Sequence, residues 1–163
     1  MQANLQELKE TYSRQTYSVF SINRQQKIAD SQVTFSLAHS VFIIPVFGAA
    51  EITIGGNEFV CEGTTVVHVP AGQTVTYRTL YGRSFDHVNI YYDGIQGDVT
   101  SPIFNAYAFD PQGFDRILDK VLDLEKLNTT PSLDNRVAQI VNGTELIKSM
   151  FLLTNSQKVQ ESM

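Results

Sequence analysis

The run from Gly48 to Tyr92 constrains this chain most, because apolar residues recur there at alternate positions between turns built on glycine. Ile52 and Ile54 alternate with Glu51 and Thr53 up to Gly55-Gly56-Asn57. The alternation resumes through Phe59 and Cys61, breaks at Gly63, and leads into an apolar run closed by Pro70-Ala71-Gly72. A period of two is that of a strand. A glycine pair between two such segments predicts a tight hairpin, and the Pro-x-Gly the next corner. Further strand candidates are Val33 to Phe35, Val41 to Phe47, Thr65 to Val69, Thr74 to Arg78 and Phe85 to Tyr92. Short strands at this spacing point to an antiparallel sandwich or barrel rather than a parallel α/β sheet. Pro45 lies inside the most apolar run and cannot donate to a ladder, so an edge or a bulge is expected there.

The period changes after Gly113. Phe114, Ile117, Leu118, Val121 and Leu122 mark one face of an amphipathic helix that ends near Asn128. A second helical set follows Thr129-Thr130-Pro131: Leu133, Val137, Ile140 and Val141, then Leu146, Ile147, Met150, Phe151 and Leu153. Asn142-Gly143 is expected to kink or split this second helix. Residues 1 to about 24 are polar with spaced aromatics and read as an arm plus a first strand. The chain is thus expected to be one unit, with an arm and β-barrel over residues 1–110 and a helical segment, ending in the start of a linker, over residues 111–163.

A chain of 163 residues can bury one sizeable core, and 42% apolar with 18% charged residues is the make-up of an ordinary globule. No apolar run is long enough to span a bilayer and the N-terminus lacks signal-peptide architecture. Cys61 is alone, so a reducing, cytoplasmic setting is expected. The formal charge of −5, without a basic stripe, argues against nucleic-acid binding by this chain itself.

The Gly63 to Gly72 stretch resembles the second motif of the cupin superfamily. In metal-binding cupins a histidine follows three residues after the Pro-x-Gly glycine; here that position is Val75. The upstream His-x-His is absent too, since Ser40 and Val41 follow His39. More specifically, Glu58 to Cys61, Pro70-Ala71-Gly72, Tyr77, the His87-x-Asn89-x-Tyr91 strand and the helix pair resemble the N-terminal effector-binding domain of AraC-type transcriptional regulators. This resemblance spans most of residues 30 to 153. It implies a cupin-like antiparallel β-barrel (a double-stranded β-helix) followed by an amphipathic helix pair. It also implies an arm over the barrel mouth, a small-molecule effector inside, and a homodimer through the second helix. The helix-turn-helix domain that normally follows lies outside this sequence, so no DNA binding by this chain alone is expected.

No nucleophile motif or P-loop occurs, and neither a catalytic residue nor a cofactor is expected. The ligand candidates His39, His68 and His87 fall on separate strand candidates and could converge inside a barrel, but no metal-ligand spacing rule is met. On the last strand Phe85, His87, Asn89 and Tyr91 share one face, while Asp86, Val88, Ile90 and Tyr92 share the other. Periodicity alone leaves open which face is inward. The resemblance turns His87 and Asn89 toward the effector and leaves Val88 and Ile90 for the helices. Tyr77 also matches a ligand-facing family position. Tyr91 belongs to the same strand face, and His39 and Phe42 are candidates from facing strands. At Asn89 the chain lacks the aromatic ring that a sugar-stacking platform needs. The rival functions are a metal-dependent cupin enzyme, such as an isomerase or dioxygenase, and a structural cupin with a filled interior.

Overall fold

Between Ile54 and Asn57 the chain reverses in two residues, and both Gly55 (φ 55°) and Gly56 (φ 86°) take the left-handed conformation that such a hairpin demands. The structure, a computed structural model, describes residues 5–14, 16–94, 105–152 and 159–161. Its elements are α1 (Leu5–Arg14), β1 (Tyr17–Lys27), β2 (Gln32–Ser36), β3 (Ser40–Phe47), β4 (Ala49–Ile54), β5 (Asn57–Glu62) and β6 (Val66–Val69). They continue with β7 (Thr74–Thr79), β8 (Phe85–Gly94), β9 (Tyr107–Phe109), α2 (Phe114–Lys126), a 3-10 turn (Leu127–Thr129), α3 (Leu133–Leu152) and β10 (Val159–Glu161).

Two antiparallel sheets face each other. The larger has the order β1-β8-β3-β6-β9-β10 and the smaller β2-β7-β4-β5. Between them Val41, Ile43, Val67, Val69 and Phe85 meet Ile52, Ile54, Phe59, Cys61, Val75 and Tyr77 in one buried cluster. The opposite face of the larger sheet carries Ile22, Phe42, Ile44, Val66, Val88, Ile90 and Tyr92, covered by residues of α1, α2 and α3. Through β3 and β6 the larger sheet is therefore apolar on both faces, which is why these two strands read as nearly continuous apolar runs.

Pro45 sits at the predicted irregularity, where the register of β3 against β8 shifts between Pro45 and Phe47. In the first helix of the pair, Phe114, Ile117 and Val121 are buried and Leu118 and Leu122 packed against the same core, as their spacing predicts.

Two expectations fail. Part of the N-terminal arm is a helix, α1, whose Leu8, Thr11 and Tyr12 fall three and four residues apart and are buried on one face. The second helix is not split at Asn142-Gly143, for α3 runs through both residues. A Cβ at position 143 would lie 3.1 Å from Val19 Cγ2 and 3.2 Å from Ile22 Cδ1. Gly143 lets the helix lie close on β1 instead of breaking it.

Candidate functional site

The pairing of β1 with β8 sets Asn23 beside Asn89, Gln25 beside His87 and Lys27 beside Phe85. Paired residues share a face, so the polar half of β1 points, with His87 and Asn89, into the space between the sheets. His87 and Asn89 are 0% and 1% exposed, and Tyr77 reaches them from the smaller sheet at 2%. The imidazole of His87 is sandwiched, its centroid 5.3 Å from the Tyr77 ring and 4.7 Å from that of Phe85.

The hydrogen bonds have a direction. Lys27 Nζ lies 3.0 Å from His87 Nε2 and 3.0 Å from Gln25 Oε1. An ammonium can only donate, so Nε2 accepts and the His87 proton resides on Nδ1. Nδ1–H then donates to Asn89 Oδ1 at 2.8 Å. Asn89 Nδ2 and Gln25 Nε2 each donate to Tyr91 Oη, both at 3.0 Å. Burial, followed by the neighbouring Lys27 charge, lowers the His87 pKa to about 4, so the ring is neutral near pH 7. Burial also lowers the Lys27 pKa. That ammonium lies 4.6 Å from the Tyr77 ring centroid and 5.3 Å from that of Phe35. No carboxylate among the described residues pairs with it.

Beside this network the sandwich opens along its edge strands. Phe35 pairs with Val75 and so faces inward, yet it is 45% exposed. Across from it on the open edge of the larger sheet are Asn23, which is exposed, and Gln25, which is half-buried. Phe35 is thus an inward-facing aromatic left partly uncovered, with Lys27 Nζ 5.3 Å from its ring centroid.

Tyr77, His87, Asn89 and Tyr91 thus come together between the sheets. Phe42 and His39 do not join them. Phe42 lies on the helix face of β3, stacked on Tyr92, because strand parity sets it opposite Val41 and Ile43. His39 precedes β3 in a loop, stacked on Phe20 and hydrogen-bonded to Asp93 at 2.6 Å. Nor do the three histidines converge. His68 is on the helix face of β6, hydrogen-bonded to Tyr92 Oη at 2.7 Å and to the Asn105 carbonyl at 2.8 Å, while His87 faces the other way. Val75, standing where metal-binding cupins have histidine, is fully buried in the inter-sheet core. Cys61 is equally buried there, where burial pushes its thiol pKa up.

The sequence reading missed Lys27 and Gln25. The segment Asn23-Arg24-Gln25-Gln26-Lys27 is polar on both faces and shows no periodic contrast. One signal was available: His87 and Asn89 on an inward face call for polar neighbours on the adjoining strand.

Comparison with solved structures agrees with this topology. ToxT from Vibrio cholerae strain SCE256, solved with an unsaturated fatty acid bound, superposes at a TM-score of 0.52 over 85% of this chain and 53% of its own, with 11% identity. The chain has a cupin-like fold. The cupin domain of Schizosaccharomyces pombe Cnp3 matches 52% of the chain and 65% of its own length, at a TM-score of 0.41 and 14% identity. A Rhizobium leguminosarum protein of unknown function matches 57% of the chain and 96% of its own, at a TM-score of 0.42 and 16% identity. The chain spans about half the length of ToxT. No protein-family model and no curated protein sequence matches it. No helix among the described residues is long and apolar enough to cross a membrane.

Proposed function

We propose that this chain is the small-molecule effector-binding and dimerisation domain of an AraC-type transcriptional regulator, a sensor rather than an enzyme. The observation that carries the proposal is the polar network of Lys27, His87, Asn89, Tyr91 and Gln25 between the sheets. Buried polar groups are costly unless they are paired, and a core meant only to hold two sheets together is better built from aliphatic residues. Ligand sites, by contrast, combine apolar walls with a few placed polar groups, as Phe35, Tyr77 and Phe85 do around this network. The likeness to ToxT extends over most of the chain, and that protein holds a small molecule, which supports the same reading.

The test is a thermal-shift screen of the chain against sugars, carboxylates and amides, followed by titration of any hit into His87→Ala. A ligand that binds the folded state raises its melting temperature, and His87→Ala should weaken that ligand severalfold or more. The second reading is a structural cupin without a ligand, and the filled cluster between the sheets favours it. It predicts no hit and a His87→Ala protein less stable than the wild type, through the cavity and the unpaired Asn89 left behind.

For dimerisation the support is narrower than the sequence pattern suggests. Leu146, Ile147, Met150 and Phe151 are buried against their own sheet, and Leu153 lies outside the described residues. Leu133, Val137 and Val141 remain exposed at 78%, 50% and 54%, one stripe on the N-terminal half of α3. A twofold contact through this stripe would cover the same patch on both copies. Sedimentation of the wild type and of Val137→Glu tests it. The expected result is a dimer at micromolar concentration that the substitution converts to a folded monomer. A monomeric wild type, or a variant that stays dimeric, would place no interface there.

A further inference from the structure

A strand at the margin of a sheet offers unpaired N–H and C=O groups, and proteins guard such margins with charges, proline, bulges or brevity. Three of the four margins formed by the described residues are guarded in this way. β1 carries Arg24 and Lys27 and an irregularity between Val19 and Ser21. β5 carries Glu58 and Glu62, both exposed, and β10 is three residues long. β2 has none of these devices. Gln32-Val33-Thr34-Phe35-Ser36 is uncharged, free of proline and in unbroken register with β7, its only partner strand among the described residues.

The bonds at the two ends of β2 show which of its backbone groups are free. Thr79 N–H donates to the Ser31 carbonyl at 3.1 Å, and Leu37 N–H donates to the Gln73 carbonyl at 3.1 Å. Antiparallel residues alternate between hydrogen-bonded and non-bonded pairs, so Ser31, Val33, Phe35 and Leu37 turn their backbone groups to the β7 side. The N–H and C=O of Gln32, Thr34 and Ser36 therefore point away from β7. The Thr34 and Thr76 Oγ1 atoms lie 2.9 Å apart, the close side-chain approach of a non-bonded pair.

This free margin is complementary to itself. About a twofold axis at Thr34, an antiparallel copy sets Thr34 against Thr34, Gln32 against Ser36 and Val33 against Phe35. The outward groups of Gln32, Thr34 and Ser36 then meet as hydrogen-bonded pairs, each exchanging two bonds. Thr–Thr and aromatic–β-branched neighbours are favourable cross-strand pairs. Phe35, left partly uncovered, and the half-buried Val33 gain cover. No like charges meet. On β5 the same operation about Val60 would set Glu58 against Glu62, which opposes it. The charge pattern thus singles out β2, and a second copy of this chain as what covers it.

We propose that β2 pairs with β2 of a second copy, joining two smaller sheets edge to edge into one continuous sheet. The contact is separate from the α3 stripe and does not depend on the effector-binding reading. A strand of five residues buries little surface, so the association is weak, with a dissociation constant on the order of 100 µM.

Sedimentation equilibrium of the full chain, from micromolar to millimolar concentration, tests it in the wild type and in Val137→Glu, which removes the α3 contact. Val137→Glu should be monomeric at micromolar concentration and dimeric near millimolar. Thr34→Lys and Thr34→Glu, each added to that chain, should weaken the association roughly tenfold or more by placing like charges at the axis. Thr34 is exposed, so neither substitution disturbs the fold. An equimolar mixture of the two should restore association, because opposite charges then meet at the axis. Val60→Lys on β5 should change nothing. In hydrogen exchange followed by NMR, the amides of Gln32, Thr34 and Ser36 should gain protection as concentration rises, whereas those of Val33 and Phe35 are protected throughout. A Val137→Glu chain monomeric up to millimolar concentration, an association indifferent to charge at position 34, or a mixture no tighter than its components would each overturn the proposal. A wild type that is monomeric at micromolar concentration but associates through Thr34 near millimolar would support β2 and remove only the α3 contact.

Discussion

Two buried histidines on the larger sheet, one facing each way, sit in networks of opposite design. On the helix face, Tyr107 donates to Tyr12 Oη at 2.8 Å and Tyr12 pairs with Tyr92 at 2.7 Å. Tyr92 pairs in turn with His68 Nε2, and the chain ends on the Asn105 carbonyl. The carbonyl fixes the direction: Nδ1–H donates to it, Nε2 accepts from Tyr92, and each phenol passes its proton along. The chain is neutral, since burial lowers the His68 pKa to about 3 and holds the three phenols well above their usual range. The inter-sheet network has the same kinds of group but contains an ammonium and keeps donors unused beside an open edge. A closed, neutral chain is architecture. A charged one that lacks an acceptor is incomplete, and the difference separates polar groups that hold the fold from those available to a ligand.

The comparison breaks most visibly at Tyr12. Its ring stacks on Phe151 at 4.3 Å, and its hydroxyl joins Tyr92 to Tyr107. Tyr12→Ala should cost about 3–5 kcal/mol, as for other buried aromatics, by losing that packing and leaving the Tyr107 hydroxyl without its acceptor. Equilibrium urea unfolding measures it, and a loss under 1 kcal/mol (a rough threshold for a single hydrogen bond) would mean that the chain is not structural.

Acid should strain both networks together. His68 and His87 have folded pKa values lowered to about 3 and about 4, below the unfolded value of 6.5. Both are neutral in either state above that value, and below it only the unfolded chain gains their protons. Stability is therefore full above pH 6.5 and falls as pH drops toward 4, by about 1.4 kcal/mol per pH unit for each histidine once well inside that window. Urea midpoints measured from pH 7 to pH 5, above most carboxylate titrations, read this slope, and His87→Gln should reduce it by about half. A flat profile would show that the two imidazoles titrate normally.

The smallest effect should have the opposite sign. Lys27→Met removes a buried charge that no carboxylate among the described residues offsets, and keeps a flexible apolar chain of similar length. It should leave stability unchanged or raise it by about 1 kcal/mol, since replacing a buried ion by an apolar residue is often neutral or stabilising. Thermal denaturation without added ligand reads the sign. A loss of more than about 2 kcal/mol, the scale of a charge-assisted bond, would class Lys27 with the supporting groups under the helices.

How much of this was legible depended on contrast between faces. The β4–β5 hairpin was plain in sequence because Glu51 and Thr53 alternate with buried Ile52 and Ile54, and because Gly55-Gly56 admits few other turns. The inward set Phe85, His87, Asn89 and Tyr91 could be grouped for the same reason, though its destination came from the family resemblance. In β3 both faces are apolar, so alternation could not tell Phe42, under the helices, from Ile43, between the sheets. At the polar end of β1 the ambiguity is reversed, and Lys27 was hidden among residues of its own kind. The apolar stripe of α3 could be listed but not divided, because its division depends on where β1 ends beneath the helix. Tyr12 stood in a polar segment whose partners Tyr92 and Tyr107 are distant in sequence.

The close seat of α3 on β1 has a mechanical meaning. β1 is an edge strand, and the irregularity between Val19 and Ser21 interrupts its ladder with β8. There Val19 N–H is taken by Thr144 Oγ1 at 3.1 Å, and the Ile22 carbonyl accepts from Asn128 Nδ2 at 2.6 Å, while Gly143 permits the contact. The helical segment thus clamps one end of a single strand whose other end carries Gln25 and Lys27. Lys27 and the helix that bears Leu133, Val137 and Val141 are thus attached to opposite ends of the same strand.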